Sequence, residues 1–191
     1  MRYRPEHKVE VHRKILKDAS RRVRAEGIAG AAVSSVMRDS GLTNGGFYKH
    51  FGSKDDLLTE SLSEAFREIA DRLTQIAKKS KPGTAWKAIV KAYLSPEHCD
   101  HPESGCPVAA LATELARADH AMKAAIRREM IKYQSRMLPL MPGRRAADKE
   151  RAFSAIFSTM IGTVAIARLL PDQAARARVL ASARDFLLHR F

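Results

Sequence analysis

Two stretches of this 191-residue chain hold residue types that could do chemistry, and they differ in kind. One is Ser95 to Gly105, SPEHCDHPESG, with the Cys106-Pro107 pair that follows; it gathers His98, Cys99, His101 and Cys106 beside Asp100 and Glu103. Imidazole and thiol ligands so close together raise the question of a metal. The two cysteines lack the paired C-x-x-C spacing of a structural zinc site, so the stretch reads as a solvated polar loop, and no metal or other cofactor is expected. Pro107 suits the first position of a helix, which makes Cys106 its N-cap with the sulfur facing free N–H groups. That position favours a thiolate reactive toward oxidants or electrophiles; a small cysteine that merely packs is the alternative.

The other stretch is Gly41 to Leu58, GLTNGGFYKHFGSKDDLL, which follows the short helical run Val33 to Ser40. Helix, glycine-containing turn and short second helix is the layout of a helix-turn-helix. Thr43 is placed to cap the second helix with its hydroxyl, and Val36, Met37, Leu42, Phe47 and Phe51 supply a small apolar interior. Asn44, Gly45, Gly46, Tyr48, Lys49 and His50 remain outside, types suited to a groove edge and its phosphates. Ser53-Lys54-Asp55-Asp56 reads as a capping-box-like start to a further helix.

The run F-Y-x-H-F-x-S-K-x-x-L, Phe47 to Leu57, resembles the recognition segment of tetracycline-repressor-like (TetR-family) transcriptional regulators, and the likeness covers about the first 58 residues. It implies that Asn44, Gly45 and Gly46 approach base edges or the groove floor, while Tyr48, Lys49, His50 and Lys54 hold phosphates. Ala32 stands where the family most often has Ser or Thr, and Ser34 and Ser35 are the candidates to replace that contact. The Gly105-Cys106 segment likewise resembles a G-C-x-x-x-x-L pattern in one branch of the family, some of whose members sense electrophiles through the cysteine. The resemblance further implies an effector cavity among residues such as Trp86, Tyr93 and Tyr133, and a homodimer built by the last two helices.

Around these stretches the elements are all helical. His7 to Glu26 carries Val11, Ile15, Leu16, Ala19 and Val23 at helical spacing, with Gly27 as its stop. Met1 to Arg4 is a basic lead-in in which Arg2 and Arg4 serve either as a minor-groove arm or as a solvated tail. Ser53 to about Lys79 reads as one long helix, ended by Pro82-Gly83. Further helices are expected over 84–94, 107–116, 119–138, 146–170 and 172–189, giving an all-α fold of about nine helices with no strand pattern and no repeat. The expected division is a DNA-binding domain over 1–54 and an effector and dimerisation domain over 55–191. Glu114, alone on an apolar helix, is either a surface residue or a pocket anchor.

Net charge is +13, and residues 1–54 hold 12 Lys/Arg against 5 Asp/Glu where residues 55–191 hold 22 against 16. Positive charge therefore concentrates on the helix-turn-helix end, as a polyanion binder requires. Two cysteines form no disulfide framework, nothing at the start resembles a signal peptide, and the longest uncharged stretch, Ala152 to Ala167, is 16 residues where a membrane span needs about 20. A cytoplasmic protein without a membrane partner is expected. Phe153, Phe157, Met160, Val164 and Phe186 leave apolar stripes that either close a four-helix bundle between two chains or pack within one. The expected partners are a double-stranded DNA operator, a second copy of the chain, and a small-molecule or electrophile effector that releases the repressor. The competing class is an all-α enzyme or protein-interaction module that only borrows the motif. No nucleophile–base–acid set or glycine-rich phosphate loop supports an enzyme.

Overall fold

The computed structural model describes residues 5–191, so the Arg2 and Arg4 arm lies outside the described residues. Nine α-helices and three short 3-10 turns follow one another among those residues. Helix α1 runs Pro5–Gly30 and buries Ile15, Ala19 and Val23 on one face. Gly27 interrupts it at φ 79°, as its sequence position suggests, but the chain turns helical again as far as Gly30. The tail is tied down from far away: the Ile28 N–H donates to Glu114 Oε2 at 2.8 Å. Glu114 is thus neither a bare surface residue nor a pocket anchor; it joins the later helix Pro107–Arg117 to the end of α1.

Helix α2, Val33–Asp39, buries Val36 and Met37. It closes with Gly41 at φ 72°, the Leu42 N–H bonding Met37 O and the Gly41 N–H bonding Arg38 O. That paired pattern is a Schellman stop, which needs a residue free to adopt positive φ. The second helix of the unit is a 3-10 helix, Asn44–Lys49, rather than an α-turn. Gly45 and Gly46 at its start, the weakest helix formers after proline, account for the tighter form. Thr43 holds the N-cap position, yet its hydroxyl makes no capping bond; the Gly46 N–H bonds the Thr43 carbonyl instead. Ser53 does cap the helix that follows, accepting the Asp56 N–H at 3.0 Å.

Helix α3, Lys54–Lys78, is the spine: it packs on α1, on α4 (Ala85–Tyr93) and on α7 (His120–Met137). One apolar cluster consequently runs from Ile15 and Phe47 through Leu62 and Ile69 to Ile156 and Leu180. The stretch expected to be a solvated loop instead forms α5, Pro96–Asp100, and a 3-10 turn, Pro102–Ser104, with His98 and Cys99 buried. Helix α6, Pro107–Arg117, follows directly; α8, Ala146–Arg168, and α9, Gln173–Arg190, complete the chain. Among the described residues no helix is long and apolar enough to cross a membrane.

Candidate nucleic-acid interface and internal cavity

The short 3-10 helix presents its polar residues outward because Phe47 points in, stacked on Phe51 at 5.6 Å between ring centres. Thr43, Asn44, Gly45, Tyr48, Lys49 and, at the head of α3, Lys54 are exposed, Tyr48 by 79%. Asn44, Lys49 and Lys54 make no hydrogen bond or ion pair with other described residues, so their polar ends are available to a ligand. A Cβ on Gly45 would meet nothing within 4 Å, whereas one on Gly46 would touch the Met37 side chain at 3.6 Å. A glycine at 45 therefore serves no packing need of the chain itself, and it leaves the backbone open to a close partner. On α2, Ser34 is exposed and Ser35 half-buried.

His50 departs from the expectation of an outward phosphate ligand. It is half-buried, its Nδ1 is without a partner, and its ring lies 6.1 Å from His12. Burial, with the added influence of His12, Lys8 and Lys49, lowers its pKa and so favours the neutral ring. His50 brings no dependable positive charge to this surface. Three ties that sequence spacing did not reveal brace the unit against α1: Lys14 to Ser40 O, Ser40 Oγ to Asp18, and Arg22 to Asp39.

In the second stretch the polar groups are consumed internally. His98 Nδ1–H donates to the Tyr93 carbonyl at 2.7 Å, and its Nε2 accepts the Cys106 N–H at 2.9 Å. This pair of bonds requires the neutral ring with its proton on Nδ1. Burial, joined by the positive charges of Arg72 and Arg168, lowers the His98 pKa to about 4. Arg168 donates to the carbonyls of His98 and Cys99, each at 3.0 Å, and buried Arg24 donates to Gly105 O at 3.1 Å. A Cβ on Gly105 would come within 3.0 Å of Arg168 and of His98, which explains a glycine there. With both imidazole nitrogens engaged, His98 is no free metal ligand, and no group of three or more His, Cys, Asp or Glu among the described residues is placed to hold a metal. Cys106 is the α6 N-cap, as its place before Pro107 indicates. Its sulfur makes no capping bond, however; the side chain is buried and lines the core cavity, and its own N–H is bonded to His98.

A cavity of ≈ 440 Å³ lies between α3, α6, α7 and α8. Phe66, Ile69, Cys106, Tyr133, Phe153 and Phe157 line it, with Lys123 and Arg127 among its walls. Tyr93 stands one layer behind, 6.3 Å from the Phe157 ring, and lines a smaller pocket of ≈ 200 Å³ with Arg72 and His98. Trp86 lines neither; its ring packs on Phe191 at 6.4 Å. The structure thus brings Cys106, Tyr133 and Tyr93 together and leaves Trp86 out.

The proposed interface residues divide in the same way. Phe157, Met160 and Val164 are 4%, 0% and 0% exposed, buried inside this chain, and Phe153 faces the cavity. Of the five only Phe186, 62% exposed, faces outward. Helix α8 is apolar on two sides: its large residues fill the core, and its outer face carries Ala155, Gly162, Ala165, Ile166 and Leu169 at helical spacing. Leu169 is 81% exposed, Ile166 56%, and a Cβ on Gly162 would meet nothing within 4 Å. Size alone was a misleading guide here, since the largest side chains went to the monomer's own core.

Residues 15–60, from α1 into the first turns of α3, match the family model for bacterial regulatory proteins of the tetR family. The HTH-type transcriptional regulator LmrA of Bacillus subtilis (strain 168) is 26% identical over 114 residues, 59% of this chain and 61% of that protein. The matched part thus spans about three fifths of that relative's length. Among solved structures, the chain resembles a TetR transcriptional regulator from Chloroflexus aurantiacus J-10-FL (TM-score 0.76, 21% identity, 96% of each chain). It also resembles the fatty acid degradation regulator FadR from Bacillus halodurans (TM-score 0.70, 18% identity, 98% of this chain and 97% of that one). The reduced form of E. coli NemR matches at TM-score 0.69 and 16% identity, over 92% and 96% of the two chains. The fold, an N-terminal helix-turn-helix domain followed by a helical domain, is that of TetR-family regulators.

Proposed function

We propose that this chain, read as a TetR-family regulator, is a homodimeric DNA-binding repressor released from its operator by a small molecule that enters the α3–α6–α7–α8 cavity. What carries the reading is that the residues matching the family include an outward, unpartnered set: Asn44, Gly45, Lys49 and Lys54, with Tyr48 between them. Cationic ends and a phenol suit phosphates, an amide suits a base edge, and a bare glycine lets a duplex approach the backbone. Thr43, Ser34 and Ser35 are assigned to the rim of that surface.

A palindromic operator needs two such surfaces about one DNA turn apart, hence a dimer. The outer α8 face, with Ile166, Leu169 and Phe186, is the surface we assign to it. Helix α6 is suited to couple cavity and DNA module: Cys106 at its head lines the cavity, and Glu114 two turns on holds the end of α1. An effector that binds one arrangement of α6 more tightly shifts the population of dimers able to span both half-sites. The Gly105-Cys106-Pro107 segment supports assignment to the family's Gly-Cys-Pro branch. A second reading, release by modification of Cys106, draws support from the thiol's place in the cavity wall.

Selection of bound duplexes from a random-sequence pool, followed by titration at several salt concentrations, tests the function. A recovered inverted repeat, log affinity falling linearly with log salt, and sedimentation as a dimer are expected. Sequence-indifferent binding, or none, overturns it. Cys106→Ser separates the two release mechanisms: it abolishes the response to an electrophile and leaves a reversible effector active.

A further inference from the structure

The cavity between α3, α6, α7 and α8 is elongated, and it is charged at one end. On α7 its lining runs from Lys123 to Gln134, about 16 Å at the ~1.5 Å rise per residue of an α-helix. The walls are apolar and aromatic: Phe66, Ile69, Ile126 and Phe157 are buried along them. Met130 and Ile131, on the α7 lip, are 48% and 50% exposed and leave apolar surface at the mouth.

Charge enters the lining at the Lys123 end alone. Lys123 and Arg127 lie one turn apart on the same face of α7, both exposed at the rim, and neither makes a hydrogen bond or ion pair with another described residue. Like charges at that spacing repel each other, and an anion between them removes the repulsion. No acidic residue lines the cavity. The carboxylates of α7 and its cap are committed elsewhere. Asp119 caps the helix through the Met122 N–H at 2.8 Å, and Glu129 pairs with Lys132 at 2.8 Å on the wall of a different pocket. At the far end, where the Phe153 ring lies 6.4 Å from that of Tyr133, the polar lining residues Gln134 and Ser154 are uncharged.

This pattern selects among ligand classes. A cation is repelled where the cavity is charged, and a small polar anion leaves the apolar walls wet. A chain with an anionic head meets both conditions. Resting on the effector reading above, we propose that the ligand is a single-chain amphiphile with one anionic head, bound head outward. The head sits at the rim between Lys123 and Arg127, and the apolar chain runs along Met130 and Phe157 toward Phe153. At the rim the head keeps its water, so no charge is stripped of solvent, while each buried methylene adds affinity. Ammonium and guanidinium groups bind carboxylate and phosphate alike, so the shared chemistry is the anionic head.

Calorimetric titration of the full chain with decanoate, decyl phosphate, decan-1-ol and decylammonium tests this. At least one of the two anions binds, the tighter one identifying the head, and the alcohol and the ammonium each bind at least tenfold more weakly. Its eight-carbon counterpart, two methylenes shorter, binds roughly tenfold more weakly. The double variant Lys123→Gln, Arg127→Gln weakens the anion at least tenfold and leaves the alcohol unchanged. Arg128→Gln, which alters an exposed cation on the next α7 position but outside the lining, changes neither. These are surface substitutions, so each variant melts with the unaltered chain and a loss of binding is not a loss of fold. Binding of neither anion, equal binding of anion and alcohol, indifference to chain length, or an equal loss in Arg128→Gln overturns the proposal. Duplex binding is measured on the same preparations with and without the anion. An anion that binds but releases no DNA upholds the ligand class and overturns the effector reading, so the two fail separately.

Discussion

Asn44–Lys49 and Pro96–Ser104 are both short, polar, tightly wound segments interrupted by or adjoining glycine, and the chain uses them in opposite ways. In the first, one ring, Phe47, anchors the segment and the polar side chains have no partner of their own among the described residues. In the second, the imidazole of His98, two arginines and five backbone groups satisfy one another in the interior. Polarity alone therefore does not mark a binding surface. A polar group is available to a ligand when the fold has left it unspent. By that measure the exposed segment is free to carry affinity at little cost to stability, and the buried segment carries stability.

The largest separation between the two should come from His98→Ala. It leaves the Cys106 N–H and the Tyr93 carbonyl unpaired in the core, at about 1–3 kcal/mol each, and opens a void besides. Chemical denaturation should show a loss of roughly 3–5 kcal/mol, while the quadruple variant of Asn44, Tyr48, Lys49 and Lys54 to Ala stays within about 1 kcal/mol of the unaltered chain. Similar losses in the two variants would erase the distinction.

Acid should probe the same clamp. His98 titrates near 4 when folded, against 6.5 for an unperturbed imidazole. Between those values the unfolded chain binds more protons, so stability falls as the pH drops from 6.5 toward 4. The full shift corresponds to about 3 kcal/mol. His50 is shifted in the same direction and adds to the slope. Unfolding free energies at several pH values should show His98→Gln, though less stable at neutral pH, with a flatter profile over this range; an unchanged slope would mean the ring is not held neutral by the fold.

How much could be read from the sequence follows the same division. The α2–turn–3-10 unit was legible because everything that defines it is local: Val36, Met37, Phe47 and Phe51 at helical spacing, a glycine where positive φ is required, and a serine three residues before Asp56. The helix sequence and the place of Cys106 at the start of α6 were legible for the same reason. The buried wiring was not. Arg24 meets Gly105 and Arg168 meets His98 only after α1, α3 and α8 have packed, across separations of 81 and 70 residues that no periodicity encodes. Helix α8 misled because both of its faces are apolar, and side-chain size does not say which face goes inside. Trp86 misled because an aromatic on an amphipathic helix belongs to any core, not to a cavity in particular.

On the exposed side, changes should appear in the salt dependence of DNA binding rather than in melting. Lys49→Ala and Lys54→Ala should each lower the slope of log affinity against log salt by about 1 and weaken binding to all duplexes alike, and Asn44→Ala should change which duplexes are preferred. His50→Gln should leave the slope as it is, since its ring carries little charge there. A slope that falls as much for His50→Gln as for Lys49→Ala would put a protonated imidazole on the phosphate backbone and contradict its half-buried, neutral placement.

The smallest effect is also a discriminating one, because it compares two hydroxyls at two neighbouring helix starts. Ser53 Oγ accepts the Asp56 N–H at 3.0 Å, so Ser53→Ala should cost the usual cap energy of about 1 kcal/mol. Thr43 holds the same position one element earlier and accepts nothing, the Gly46 N–H being satisfied by the Thr43 carbonyl. Thr43→Ala should accordingly move the denaturation midpoint by no more than a few tenths of a kcal/mol. If the exposed hydroxyl is spent on DNA instead, the same variant should weaken operator binding severalfold, with unchanged order among competing sequences, as loss of a neutral phosphate contact does. A threonine that proves as costly to the fold as Ser53 would mean that the hydroxyl caps the segment in solution, and Thr43 would then leave the DNA surface and join the residues whose polar groups are spent at home.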